Sequence, residues 1–356
     1  MANFVGKITQ MFRTLQSLRG LFAISIFAHH FCGFAEGGDC SVSFFLILSG
    51  FVLSKGFESK FEHGEISYGR FISGRLIRIY PLHVLTLIAA IMVQCRTFTT
   101  EKILIYLSNF TLVQAWIPES RVYFSGIGTA WFLSALLFCY LAFPVMVRML
   151  SRMSLAGIVS AACAMLVAYL YVINHLHGSL YNAIIYINPA MRLIDFICGM
   201  LLWQLWRRGG ASLADMVGKQ TVATRTVIEI AAIAIFVGAI ALHAHLPQRY
   251  ALAAMWWLPS MLLIATFTTM DAGGGLFTRL LQWRPLVAFG NVSFSFFMLH
   301  IVVGDYLRIA FEKFAVQPSP EAFVAILFVA TVGAAFAVNR YFEKPIVSLW
   351  KRYFCR

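Results

Sequence analysis

Ten apolar runs, each near the length that a helix needs to cross a bilayer, take up most of this 356-residue chain. They cover residues 15–34, 40–56, 76–95, 128–150, 154–175, 189–206, 226–244, 249–270, 286–311 and 322–341, to within a few residues at each edge. A helix needs about 20 mostly apolar residues to span the hydrocarbon. The runs are continuous rather than alternating, which argues against an outer-membrane barrel. With 60% hydrophobic and 12% charged residues, the chain lies far from a soluble domain, where about 25% are charged. It therefore reads as an all-α polytopic integral membrane protein of about ten transmembrane helices. No charged or Pro/Ser-rich linker separates a soluble domain, so residues 1–356 read as one transmembrane domain. Met1 to Ser17 is polar and basic, without the pattern of a cleavable signal peptide.

The net charge of +13 raises nucleic acid as a partner, but its distribution points elsewhere. With the N-terminus in the cytoplasm, ten spans return the C-terminus there too. The segments then inside hold about three quarters of the 28 Lys and Arg residues, among them Arg19, Arg75, Arg78, Arg207 and Arg340. The outside segments hold the remainder, such as Arg121, Arg192 and Arg308. Basic charge of this kind reports topology, and beyond that only an anionic ligand on the cytoplasmic side. The reading contains no nucleic-acid partner.

Cysteine usage points to no metal. Cys95, Cys139, Cys163 and Cys198 lie in apolar spans and read as small buried hydrophobes. Cys32 and Cys40 flank the first external loop and are candidates for a disulfide across it. No Cys/His spacing suits zinc.

The most informative run is Leu18 to His30, with Arg19 at one end and a histidine pair at the other. Eleven helical steps of about 100° bring His30 back almost onto the Arg19 face, roughly 16 Å further along the axis. His29 is then turned away by about 80–100°. An Arg and a His on one stripe of a membrane helix should face the protein interior. The plainer alternative is an Arg that snorkels to the interface and a His bonded to a neighbouring helix.

Other polar residues stand out against the apolar background. Ser49-Gly50 is a small-residue notch, suited either to close helix packing or to a ligand. Arg75 and Arg78 are neighbours on one helix face at the cytoplasmic mouth. They form a fork for phosphate or carboxylate, or simply inside-positive charge. Pro81 should bend or reset the helix that follows them. Residues 103–116 are apolar enough to dip into the membrane or lie in its interface. Arg192 and Asp195 can pair on one face. His300 lies mid-span, where an ionisable group is functional by default or a structural hydrogen-bond partner. Glu343 falls at the cytoplasmic rim, within range of arginines.

Taken together these pieces resemble the membrane-bound acyltransferase-3 family. The motifs are Arg19, ten residues, then His30; Phe44-Phe45-Leu-Ile-Leu-Ser49-Gly50-Phe51; and Arg75-x-x-Arg78-Ile-Tyr-Pro81. Then follow Trp131-x-Leu-Ser134 with Tyr140 and Pro144, and Phe196-x-x-Gly199-Met200. The set closes with Gly290-x-x-Ser293-Phe-Ser-Phe-Phe-Met-Leu-His300 and Tyr341-Phe-Glu343-Lys-Pro345. The resemblance implies a ten-helix core in the plasma membrane, the inner membrane in a bacterium. It also implies transfer of an acyl group, acetyl by default, from cytoplasmic acyl-CoA as co-substrate, with no resident cofactor. The acceptor implied is a sugar hydroxyl of a surface polysaccharide, glycoconjugate or lipid-linked saccharide. His30 and Arg19 are then the essential catalytic residues, and Arg75 and Arg78 support the donor. Ser49, His300, Asp195 and Glu343 complete the expected substrate-binding set. The chain departs from the family at three points. Phe132 and Leu136 stand where many members carry Ser and Glu, and Val42 stands where many carry Asp.

On this reading His30 acts as general base on the acceptor hydroxyl, a role typically worth about 10²–10⁴-fold. An acyl-His30 relay is its covalent variant. The competing class is a transporter of a lipid-linked glycan or small anion. Against it, no internal repeat and no matching pair of interrupted helices are visible.

Overall fold

The computed structural model describes residues 12–94, 97 and 99–354. Lys7, Cys95, Arg96 and Arg356 lie outside the described residues. Among those described, the regular elements are helices throughout. We number the principal ones α1 (Arg13–Phe31), α2 (Glu36–Glu62), α3 (Tyr68–Gln94), α4 (Thr100–Phe110), α5 (Trp131–Ser151), α6 (Leu155–His175) and α7 (Pro189–Gly218). The second half holds α8 (Val222–His243), α9 (Trp257–Thr269), α10 (Leu276–Leu281), α11 (Arg284–Asn291), α12 (Ser293–Lys313), α13 (Pro320–Val338) and α14 (Lys344–Phe354). Two π-helical stretches, Tyr181–Ile187 and Asn339–Glu343, lead into α7 and α14.

Helix starts follow local chemistry. Thr99, Ser154, Asn188, Thr221 and Ser319 each accept a hydrogen bond from a backbone N–H of the first turn. Pro189 and Pro320 follow directly, where a missing N–H costs nothing. Two helices are capped by carboxylates from distant chain. Asp271 accepts from the Thr14 N–H (3.0 Å) and hydroxyl (2.8 Å) at the start of α1. The buried Glu229 accepts from the N–H groups of Gly275 (2.7 Å) and Phe277 (2.9 Å) at the start of α10. Anionic oxygens on helix N-termini satisfy orphan donors and complement the dipole.

Seven described helices are long and apolar enough to cross a membrane: α2, α3, α5, α6, α8, α12 and the run Pro320–Tyr353. An eighth is added if the segments 178–187 and 189–218, which meet at 49°, form one span. Two expected spans fall short of that standard. The segment Ala254–Thr269 is short, and α1 is diluted by Gln16, Arg19, His29 and His30. Helices of this length and composition make the protein an integral membrane protein. The lipid-facing layer is plain: Val159 and Val167 on α6, Val227 and Val237 on α8, and Val329 on α13 are all exposed.

α2 lies at the centre, with Phe44, Leu46, Ile47 and Phe51 fully buried. It crosses α7 where Gly50 meets Gly199. A Cβ on either would run into the other helix's backbone, at Phe196 O and Ile47 O. Gly290 of α11 meets the Gln16 carbonyl of α1 in the same way. These glycines exist for close approach.

Several local expectations are corrected. α3 begins at Tyr68, before the expected loop ends at Gly74, and continues through Pro81, so Arg70 is already helical and the connection from α2 shrinks to residues 63–67. Phe71, packed among Phe57, Phe61 and Phe143, holds that extra turn in place. Cys32 and Cys40 are both free, and Cys163 is exposed rather than buried. α4 exposes Ile103, Leu104, Leu107 and Phe110 on one side, as an interfacial helix would.

Candidate active site

α1 carries polar groups at both ends of its buried stretch, and each end meets different partners. At its C-terminal end, a cavity of about 330 Å³ opens beside the last turn. Five segments other than α1 contribute to its wall, including Gly38 of α2, Thr129, Trp131 of α5, Tyr186 and Phe297 of α12. His30 is exposed into it and, among the described residues, makes no hydrogen bond.

Two further imidazoles flank His30. The His29 ring centroid lies 5.0 Å away and that of His300 5.2 Å. His29 Nδ1 lies 2.9 Å from the Ala35 carbonyl and 3.2 Å from that of Phe34. His300 Nδ1 lies 2.6 Å from the Phe297 carbonyl. A carbonyl only accepts, so both Nδ1 atoms carry the proton and donate. Helical phase placed His29 away from the site, yet it lines the cavity with His30. The cavity wraps around the end of α1 and takes in residues a quarter turn apart.

At its N-terminal end, Arg19 of α1 and Arg75 and Arg78 of α3 lie around Tyr140 of α5. Arg78 is within electrostatic range of both other arginines, and Tyr140 of all three. Arg19 donates to Gln16 Oε1 at 3.3 Å. The Arg75 guanidinium sits 5.0 Å from the Phe57 ring centroid, and its Nε is buried without a partner. Among the described residues no carboxylate pairs with any of the three. Nearby cations are answered: Arg207 meets Glu58 at 2.7 Å, and Lys55 lies 3.9 Å over the Phe12 ring. Guanidiniums grouped without an acid are chemically suited to an anion such as phosphate.

The remaining expected site residues lie elsewhere. Asp195 is fully buried, 3.1 Å from Arg192, and its other oxygen accepts from Trp257 Nε1 at 2.9 Å. Ser49 Oγ donates to Phe45 O at 2.7 Å within its own helix. Glu343 accepts from Ser295 (2.8 Å) and Asn339 (2.7 Å), not from an arginine. None of these three lines the cavity. His300 touches His30 but sits behind the cavity wall, 1% exposed. Sequence reasoning passed over the cavity-lining Thr129 and Tyr186; neither carries a local pattern that marks it.

Comparison with known proteins bears on this arrangement. A family model described as an acyltransferase domain matches residues 12–340. The chain is 27% identical over 330 residues to acyltransferase MdmB of Streptomyces mycarofaciens, covering 82% of this chain and 79% of that protein. It is 26% identical over 323 residues to the membrane-bound transacylase BcsY of Komagataeibacter xylinus, covering 83% and 74%. No solved structure matches. The matched region runs from the first residue of the described fold through the arginine cluster and the histidine cavity, and the chain belongs to the acyltransferase-3 family of membrane acyltransferases.

Proposed function

We propose that this protein moves an acetyl group from cytoplasmic acetyl-CoA to a sugar hydroxyl of a surface polysaccharide or glycoconjugate, across the plasma membrane. One observation carries the reading: a single helix links an arginine cluster lacking acid partners to a histidine-lined cavity. The two ends lie roughly 16 Å apart along the axis. That spacing suits a donor with an anionic head and a long, thin reactive arm. Arg19, Arg75 and Arg78 hold the phosphates of CoA, and the pantetheine arm runs along α1 towards His30. The aromatic wall of Trp131, Tyr186 and Phe297 offers faces on which a sugar ring stacks.

The chemistry balances without a resident cofactor. Neutral His30 takes the proton of the acceptor hydroxyl as its oxygen attacks the thioester carbonyl. The C–S bond then breaks, and the departing sulfur takes that proton from His30. The products are an O-acetyl ester and CoA thiol.

The reading includes ten membrane crossings with both termini cytoplasmic, which α1 and residues 254–269 complete. Single cysteines at positions 60 and 119 test the orientation: position 119 should label from outside, and labelling at 60 would reverse it. The test of function is mass spectrometry of surface glycans from cells with and without the protein. An acetyl mass present only with the protein supports the proposal. Unchanged glycans, with no acetyl-CoA turnover by purified protein, would sink it.

A further inference from the structure

Resting on the proposed role of His30, we propose that His300 sets the orientation and tautomer of His30, as a positioning residue standing where a carboxylate is usually found. A histidine base works best when its second nitrogen donates to a fixed acceptor, since that decides which nitrogen bears the lone pair. Among the described residues lining the cavity there is no Asp or Glu. Two acids at the start of α2 are engaged with His243: Asp39 at 3.2 Å and Glu36 at 3.8 Å.

His300 supplies what is missing. Its Nδ1–H is held by the Phe297 carbonyl at 2.6 Å, so its Nε2 is the acceptor. That Nε2 is buried and without a partner, in a side chain only 1% exposed. A buried acceptor left open is unfavourable, and among the described residues the one polar ring in contact with His300 is His30. The two rings are 5.2 Å apart between centroids and inclined at 35°, a separation at which facing ring nitrogens come within hydrogen-bond reach. A small side-chain rotation of His30, which has no hydrogen bond of its own, would close the N–H···Nε2 bond. The other His30 nitrogen then presents its lone pair to the cavity. His29 is as near, at 5.0 Å, but its ring stands at 73° to that of His30, edge to face rather than near a common plane. Phe296, Phe297 and Phe31 surround the His300 ring and keep it from turning away.

The test compares His300→Phe, which keeps a ring but removes the acceptor, with His300→Gln, which returns a carbonyl near the place of Nε2. Two readouts are needed: steady-state kinetics with acetyl-CoA, and 15N chemical shifts of labelled imidazoles, assigned to His30 by its absence in His30→Gln. In the wild-type protein His30 should show one fixed tautomer. In His300→Phe it should average between two, with kcat down roughly 10- to 100-fold and KM for both substrates unchanged. His300→Gln should restore the fixed tautomer and most of kcat. An unchanged His30 tautomer or unchanged kcat in His300→Phe overturns the proposal. If His300→Phe does not fold, a mixed His30 tautomer in folded His300→Gln overturns it equally. A fixed tautomer lost in His300→Phe, in a protein that turns over no acyl-CoA, would support the pairing and count against the proposed function alone.

Discussion

Two groups of arginine differ in how completely the fold answers them. Arg192 has a partner for each part of its guanidinium: Tyr186 O at 2.7 Å, Leu252 O at 2.9 Å, Ser43 Oγ at 3.2 Å and Asp195 at 3.1 Å. It ties α7 to α2 and to the turn before α9. Arg19, Arg75 and Arg78 have each other, a tyrosine and aromatic faces, and no acid. Charges that the fold completes are architecture. Charges that it leaves incomplete are, on the proposed function, places for a ligand. His30 belongs with the second kind and Asp195 with the first.

That division breaks most visibly at His30. His30→Ala should lower acetyl transfer by about 10²–10⁴-fold while leaving the unfolding midpoint in detergent unchanged. A variant that instead loses stability and keeps its turnover per folded molecule would move His30 among the structural groups.

The next largest effect is on stability. Asp195→Ala leaves the Arg192 charge buried and unpaired, which should cost about 3–5 kcal/mol. Denaturant unfolding in micelles measures it. The folded fraction should keep wild-type KM values, and a specific rise in KM would return Asp195 to the substrate site.

The arginine cluster should respond in the opposite way. Arg75→Gln with Arg78→Gln should leave stability close to wild type and raise the KM for acetyl-CoA at least about tenfold, since each charged hydrogen bond lost is worth roughly 1.5–3 kcal/mol. kcat should be largely kept, as for lost uniform binding, and donor binding should depend less on salt. Wild-type donor affinity in correctly oriented protein would remove both residues from the site.

The smallest effect sharpens the boundary. The Ser49 hydroxyl already donates to Phe45 O, so Ser49→Ala should change stability by no more than about 1 kcal/mol and leave both KM values alone. A shift in either KM would show that the hydroxyl turns towards substrate.

Much of the scaffold was legible because lipid demands continuous apolar helices, and most such runs coincide with one helix, whereas 249–270 and 286–311 are each broken into shorter ones. The start of α3 was not, because Tyr68 to Gly74 is polar and Gly-containing and is helical only through the packing of Phe71. At the site, helical phase put Arg19 and His30 on one stripe of α1. It could not show that α3 would bring Arg75 and Arg78 to Arg19, since that depends on how helices pack. The same limit hid His29, whose place follows from the shape of a cavity assembled from six segments. For Asp195 the i+3 spacing revealed Arg192, but not Trp257, which lies far along the chain.

The fastening of α1 has a consequence for how the protein is made. Thr14 is held by Asp271 and by the Phe267 carbonyl at 2.9 Å, Ser17 donates to the Leu281 carbonyl, and Gln16 packs on Gly290. Every one of these partners is synthesised more than 250 residues later. The helix bearing Arg19 and His30 thus leaves the ribosome long before the segment that seats it. Until the segment 267–290 emerges, α1 waits in the bilayer with its polar groups unplaced. A nascent chain stopped short of that segment would lack the partners that seat the start of α1.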